Sequence, residues 1–132
     1  ELLRAARSAN VESRRTIASV IAETKANRAQ AARLLMTMIG DPDGLVRHYA
    51  AHSLGTLGEM PEDSVRALTI ALGDADARVR YISLFALKRF GAAAVSALPK
   101  IQKLEEDSEE NIRKSAVEIG DELALIASVR KP

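Results

Sequence analysis

His48 and His52 are the only histidines of the chain, and their spacing comes closest to that of a metal site. An interval of four residues puts both imidazoles on one face of a helix, where they can bind zinc. A zinc site needs further protein ligands, and no aspartate or glutamate follows at matching spacing on the same helix. The pair therefore predicts surface or packing histidines, and we expect no metal.

No other set of residues has the types and order of a catalytic site. The chain has no cysteine, which excludes disulfides, thiolate metal sites and cysteine nucleophiles and leaves the compartment open. No Ser/His/Asp order, glycine-rich phosphate loop or carboxylate pair stands out. The acidic run from Glu105 to Glu110 is typical of a solvated turn with negative charge at a helix start, the alternative being contact with a basic partner. We expect no catalytic residues, no cofactor and no enzyme activity.

Arginines recur at a fixed interval of 33 residues along the chain. Each follows, by six residues, an aspartate or, in the first case, a serine. The pairs are Ser8 and Arg14, Asp41 and Arg47, Asp74 and Arg80, and Asp107 and Arg113. A repeat of this length indicates an array of similar supersecondary units.

Within each unit the apolar residues have helical spacing. Val46, Ala50, Leu54 and Leu57 fall on one stripe of a helix, and no useful length alternates with the period of a strand. Aspartates suited to N-caps and glycines suited to C-caps punctuate the units. The predicted helices, alternately B and A, span 1–7, 10–25, 28–39, 44–57, 61–72, 77–90, 94–105 and 109–128.

The sequence therefore predicts an all-α fold, an α-solenoid in which antiparallel helix pairs form a right-handed superhelical stack. One domain, 1–132, comprises units of about 8–40, 41–73, 74–106 and 107–132. The 23 alanines favour close helix packing. Because the pattern starts and stops in mid-repeat, we expect a fragment of a longer array.

Residues 41–58 read Asp-Pro-Asp-x-x-Val-Arg-x-x-Ala-Ala-x-x-Leu-Gly-x-Leu-Gly and resemble HEAT repeats, particularly the short bacterial and archaeal HEAT-like class. The likeness covers residues 8–124 and is strongest from 41 to 107. It implies the solenoid fold, and it implies that the periodic arginine bonds the aspartate of a turn entering an A helix, often across repeats. The expected structural ladder comprises Arg47, Arg80 and Arg113 with Asp41, Asp74 and Asp107. Ligand contact is the alternative, and Arg14 has a partner only if Asp41 serves it.

Enzymes with HEAT-like repeats carry features that this sequence does not match. Deoxyhypusine hydroxylases use His-Glu dipeptides for iron, whereas His48 precedes Tyr49 and His52 precedes Ser53. HEAT-like DNA glycosylases depend on aromatic residues in a basic concave groove, and this chain has no tryptophan. Phycobilin lyases share the repeat pattern, but no residue here identifies their activity.

The resemblance implies that the B helices line a concave face, which suits a peptide or protein partner. The exposed residues expected to bind it are Arg33, Met36, Arg66, Thr69, Ile70, Lys100 and Lys103. The alternative is that this face contacts only solvent and binds no partner. There are two functional alternatives. The basic residues of this set bind nucleic acid, or the chain is an enzyme-associated subunit of the lyase type. The net charge of +1 gives no global support for nucleic acid, and no apolar run reaches the length of about 20 residues that a membrane span needs.

Tyr81 and Phe85 occupy the same repeat positions as His48 and His52, on an outward-facing slot. Aromatic side chains there either pack under a neighbouring segment, which we prefer, or form an apolar patch for another subunit or domain.

Overall fold

The computed structural model describes residues 2–24 and 27–130, apart from the side chains of residues 2, 3 and 8. Within these residues the regular structure is helical and contains no strand, so the predicted all-α class is confirmed. The α-helices are α1 (Leu2–Ser8), α2 (Val11–Val20), α3 (Arg28–Met38), α4 (Gly44–Leu57), α5 (Pro61–Ala71), α6 (Ala77–Phe90), α7 (Leu98–Lys103) and α8 (Glu110–Arg130). Short 3₁₀ segments span Ile21–Glu23, Gly91–Ala97 and Leu104–Glu106.

Two predicted helices differ from the observed α-helices by more than two residues at one end. The helix predicted over 94–105 is a 3₁₀ segment followed by α7, because Pro99 has no N–H to donate and is accommodated in the first turn of an α-helix. The helix predicted over 10–25 leaves α geometry after Val20, and Lys25 lies outside the described residues, as does Glu1 of the first predicted helix. Helix α8 runs two residues beyond the predicted end at 128.

The predicted caps start and stop the helices of the second and third units. The carboxylate of Asp43 accepts from the amide of Val46 at 3.0 Å, and that of Asp76 accepts from the amide of Arg78 at 2.9 Å. These bonds satisfy amides that have no partner inside the helix. Gly58 ends α4 with φ of 67°, a left-handed conformation that glycine adopts without a Cβ clash.

The helices form two layers that follow the order of the chain. The A helices α2, α4, α6 and α8 pack in sequence, and α3, α5 and α7 of the second layer each pack against their own unit or an adjacent unit. Extensive contacts between described elements join only such neighbours, which is the packing of a solenoid. The A helices approach closely at Gly55, where an added Cβ would lie 2.8 Å from the Cα of Ala86.

The buried interior is continuous along this stack and almost entirely aliphatic. It relies on neighbouring units, because each helix pair presents too little apolar surface to be stable alone. The largest side chains with under 2% exposure are Leu35, Leu54, Leu68, Leu84, Leu87, Ile101, Ile112 and Leu123.

One stretch, Ala77–Glu106, has the length and mean hydropathy, 1.3, that a membrane span would also have. It is not a single α-helix, since α6 ends at Phe90 and Gly91 has φ of 55°. Leu84, Leu87 and Ile101 within it are fully buried in the core of the stack, and 33% of its most apolar window is buried inside the structure.

Candidate partner-binding surface

Three of the four periodic arginines, Arg14, Arg47 and Arg80, bond the aspartate of the following unit. Arg47 donates from Nε to Oδ2 of Asp74 at 2.9 Å and from Nη2 to Oδ1 at 3.1 Å. Its Nη1 donates to the backbone carbonyl of Asp41, in its own unit, at 2.8 Å. The same geometry joins Arg14 to Asp41 and Arg80 to Asp107. Each guanidinium therefore ties its own turn to the turn of the next unit.

The last arginine–aspartate pair along the chain, Arg80 with Asp107, is well sheltered from water. The side chain of Arg80 is 14% exposed and that of Asp107 is 5% exposed. The bonds from Arg80 hold the pKa of Asp107 below its usual value, and the amide of Glu109, which donates to the same carboxylate, lowers the pKa further. A charge-assisted, bidentate pair in such a site is stronger than an exposed ion pair.

Arg113 makes only half of this arrangement. Its Nη1 donates to the carbonyls of Asp107 and Ser108, at 2.8 Å and 3.2 Å, as the earlier arginines do in their units. Within residues 2–24 and 27–130 its Nε and Nη2 have no carboxylate partner. A structural role for the ladder residues remains a prediction, which the variants below test.

A second row of polar contacts runs beside the ladder and was not predicted. Arg15 donates to both carboxylate oxygens of Asp43 at 2.9 Å, and this bond lowers the pKa of Asp43 far below its usual range. His48 takes the place of Arg15 in the next unit, with Nδ1 3.4 Å from the carbonyl oxygen of Arg78. The described part of the chain contains no group of three residues able to hold a metal ion. Each contact in this row joins an A helix to the start of the next A helix.

Tyr81 and Phe85 face each other on α6, with ring centroids 4.9 Å apart. Both side chains are half-buried and pack against the core. The pair is therefore not a fully exposed apolar patch.

The residues expected to bind a partner lie on α3, α5 and α7. Arg33, Arg66, Ile70, Lys100 and Lys103 are exposed, whereas Met36 and Thr69 are half-buried. Ile70 is 75% exposed, more than any other large apolar side chain in the described residues. An isoleucine this accessible gains from burial against a partner, by roughly 1.5–3 kcal/mol when burial is complete.

Three of these residues line one groove between α5 and the segment Gly91–Ala97. The groove has a volume of about 410 Å³ and contains Arg66, Thr69 and Ile70. Arg33, Met36, Lys100 and Lys103 are not among its lining residues. The rest of its lining, which the sequence did not suggest, is Glu62, Val65, Ala93 and Ser96. Ala93 and Ser96 escaped notice because the 3₁₀ geometry of their segment is not evident from helical spacing.

The charge of this face is mixed. Arg66 donates from Nη1 to Oδ1 of Asp63 at 2.8 Å, in an ion pair whose side chains are 70% and 49% exposed. Glu62 adds a carboxylate to the groove itself. An exposed pair of this kind contributes little free energy, so Arg66 remains available to a second carboxylate.

Comparison with known proteins agrees with the repeat geometry. The model of the family described as HEAT repeats matches residues 1–88, which is two-thirds of the chain. No curated protein matches the sequence. The match includes α1 to α5 and nearly all of α6, and it contains both the Arg14–Asp41 and the Arg47–Asp74 pairs. The chain therefore belongs to the HEAT-repeat family.

Proposed function

We propose that this chain is a protein-interaction scaffold that holds a peptide or a helix of a partner protein on the face formed by α3, α5 and α7. HEAT repeats commonly act as such scaffolds. The observation that carries the proposal is the groove beside α5, which combines a depression of about 410 Å³ with the exposed side chain of Ile70. An apolar anchor beside a concave surface is a typical feature of peptide-binding sites.

The charges around the groove define the chemistry of the segment that fits it. Arg33, Arg66, Lys100 and Lys103 are exposed cations on the same layer of helices. A partner segment with one large apolar side chain flanked by carboxylates would bury Ile70 and satisfy these cations. Complementary charge of this kind increases the association rate and selects among partners more than it adds affinity.

The experiment is selection of peptides from a random library displayed on phage, followed by affinity measurement with synthetic peptides. We expect the selected peptides to be enriched in acidic residues next to a leucine, isoleucine or phenylalanine. Ile70→Ser and Arg66→Glu should each weaken binding about tenfold, which corresponds to about 1.4 kcal/mol. Circular dichroism should show both variants folded, since both side chains project into solvent.

The matched control is Lys114→Glu, the same charge reversal on an exposed lysine of α8. It should leave peptide affinity within twofold of the wild type. The proposal fails if no peptide is enriched, or if the selected peptides bind the Ile70 and Arg66 variants as tightly as the wild type.

Nucleic acid is the competing ligand for the same basic side chains. Asp63 and Glu62 interrupt the cations, and the net charge of the chain is only +1. Salt dependence separates the two cases, because each phosphate contact with duplex DNA contributes a slope of about −0.9 to log affinity against log salt. Peptide binding anchored by Ile70 should have a slope well short of that of several phosphate contacts, whereas a steep slope with duplex DNA would support the nucleic-acid reading.

A further inference from the structure

The junctions between successive A helices share one carboxylate position, the residue just before the helix that follows. At the junction of α2 with α4 this residue is Asp43, to which Arg15 of the preceding helix donates two hydrogen bonds of 2.9 Å. At the junction of α4 with α6 it is Asp76, which accepts from the guanidinium of Arg78 at 2.7 Å and 3.1 Å. Each of these two carboxylates is therefore bound by one arginine.

The junction of α6 with α8 has the carboxylate but neither arginine. Glu109 occupies the carboxylate position, and the two arginine positions hold Tyr81 on α6 and Asn111 on α8. The carboxylate of Glu109 makes no ion pair or hydrogen bond in the described part of the chain. Arg80, which is close enough to interact with its charge, donates to both carboxylate oxygens of Asp107 instead. This junction therefore lacks the internal cation that the first two have.

A groove of about 330 Å³ lies where that cation is missing. It is lined by Tyr81, Glu109 and Asn111, together with His48, Ala77, Arg78 and Ile112. These residues belong to α4, α6, α8 and the turn that enters α8, so the groove does not depend on what packs against the far side of α8. The positive charge of Arg78 is offset by its ion pair with Asp76. The volume is at the lower end of the range for ligand sites, about 300 to 1,000 Å³, and suits a single side chain.

The groove combines a carboxylate with an aromatic ring. Tyr81 is half-buried and packs beside Phe85, with ring centroids 4.9 Å apart. A guanidinium can stack on such a ring and pair with a carboxylate through two parallel N–H groups, whereas the ammonium group of lysine lacks this planar fork. The side-chain oxygen of Asn111 can accept a further N–H. The lining is therefore suited to arginine more than to lysine.

We propose that this groove docks an arginine side chain of a partner protein, whose guanidinium takes the place that Arg15 has at the first junction. The charge of Glu109, and the pair that Arg15 and Asp43 form at the equivalent position of the same chain, identify the occupant as a guanidinium. The groove lies on the layer of A helices. It is a second contact, independent of the peptide groove beside α5.

The test is a titration with N-acetyl-arginine amide up to about 50 mM, followed by the amide NMR signals of Glu109 and Asn111. We expect saturation with a dissociation constant in roughly the millimolar range, because an exposed ion pair and a single ring contact are each weak. N-acetyl-citrulline amide has nearly the same shape without the charge and should not saturate. N-acetyl-lysine amide should bind at least about threefold more weakly than the arginine probe.

Two variants place the probe in the groove. Glu109→Gln should weaken binding about threefold to fivefold, the contribution of an exposed ion pair. Tyr81→Arg should abolish saturable binding, because the new guanidinium would pair with Glu109 as Arg15 pairs with Asp43. Circular dichroism should show both variants folded. The matched control is Glu106→Gln, an exposed carboxylate of the same acidic run that does not line the groove, which should bind the probe as the wild type does.

The proposal fails if the arginine probe does not saturate, or if a folded Tyr81→Arg variant still binds it. Equal affinity for the lysine derivative, or an equal loss in Glu106→Gln and Glu109→Gln, would mean general attraction to the acidic run and would also overturn it. Sedimentation equilibrium of the wild type should show a monomer. A dimer that the arginine probe dissociates would assign the docked arginine to a second copy of this chain and would contradict a partner protein.

Discussion

Replacing Arg80 with alanine removes the most sheltered bond between two units. The side chain donates to both carboxylate oxygens of Asp107, at 2.8 Å and 3.1 Å, and to the carbonyls of Asp74 and Ala75 at 2.9 Å and 3.2 Å. The variant leaves the Asp107 carboxylate, 5% exposed in the intact pair, with only the amide of Glu109 as a donor. We expect a loss of roughly 2–3 kcal/mol in the free energy of unfolding, below the figure for a fully buried pair because water can reach the vacated site.

Arg113→Ala is the internal control for this variant. Arg113 makes the same two carbonyl bonds as Arg80 but no carboxylate bond in the described residues, so its loss should cost only about 1 kcal/mol. Thermal unfolding measures both, with a shift of about 3–5 °C per kcal/mol for a chain of this size. A midpoint of Arg80→Ala that equals that of the wild type, or of Arg113→Ala, would refute the reasoning.

Acid unfolding provides an independent test of the bond between Arg80 and Asp107. The pKa of Asp107 is lowered by Arg80 in the folded state, so the stabilisation is present above the unfolded pKa of about 4 and disappears as the pH falls through the folded pKa. The bonds from Arg78 lower the pKa of Asp76 to about 2. The wild type and Arg80→Ala therefore both lose stability from Asp76 in the same pH range, and this loss does not affect the difference between them. The difference in stability between the wild type and Arg80→Ala should therefore shrink as the pH falls below about 4. A difference that stays constant from pH 6 to about pH 2 would contradict this assignment.

Two further predictions concern the interior. Gly55→Ala should destabilise the chain by about 1–3 kcal/mol, because the new Cβ would lie 2.8 Å from the backbone of Ala86. Gly120→Ala should stabilise it by about 0.5–1 kcal/mol, because the nearest atom to its new Cβ, a side-chain carbon of Ile101, lies at an ordinary contact distance of 3.6 Å. Urea unfolding measures both, and the same sign for the two would contradict the packing described. Ser83→Ala should stabilise by about 1 kcal/mol, because the buried Oγ of Ser83 has no partner among the described residues, whereas Ser53→Ala should destabilise, because its Oγ donates to a carbonyl of α2. Thermal midpoints that move in the same direction for the two serine variants would contradict this account.

The repeat period marked equivalent arginines and aspartates, helical spacing and caps located the helices, and the resemblance to HEAT repeats suggested that the two residue types bond each other. A fixed interval between Arg47 and Arg80 marks equivalent positions, and caps such as Asp43 mark where each helix starts. The period could not say whether Arg47 bonds the carboxylate of Asp41 or of Asp74, because that depends on how two units stack. The structure has Arg47 bonding the carboxylate of Asp74 and the backbone of Asp41.

The groove could be anticipated only in part. Arg66, Thr69 and Ile70 follow from helical spacing on α5, since they fall outside the buried stripe. Its other wall, which includes Ala93 and Ser96, has 3₁₀ geometry, and no residue type in that stretch distinguishes 3₁₀ from α before Pro99 is considered. The shape of the groove depends on how α5 packs against the segment Gly91–Ala97. The spacing of residues within one helix carries no information about that packing.

Electron–electron distance measurements between spin labels test the stacked arrangement most directly. Ser19, His52 and Glu118 occupy the same exposed position on α2, α4 and α8, and the chain has no native cysteine to compete for labels. Since packed helices lie about 8–10 Å apart, labels at His52 and Glu118 should be separated by roughly 20 Å and labels at Ser19 and Glu118 by roughly 30 Å. The doubly labelled protein would be diluted with unlabelled protein to remove distances between molecules. Equal distances for the two pairs would mean that the helices form a bundle and do not follow one another along a stack, and would contradict the account.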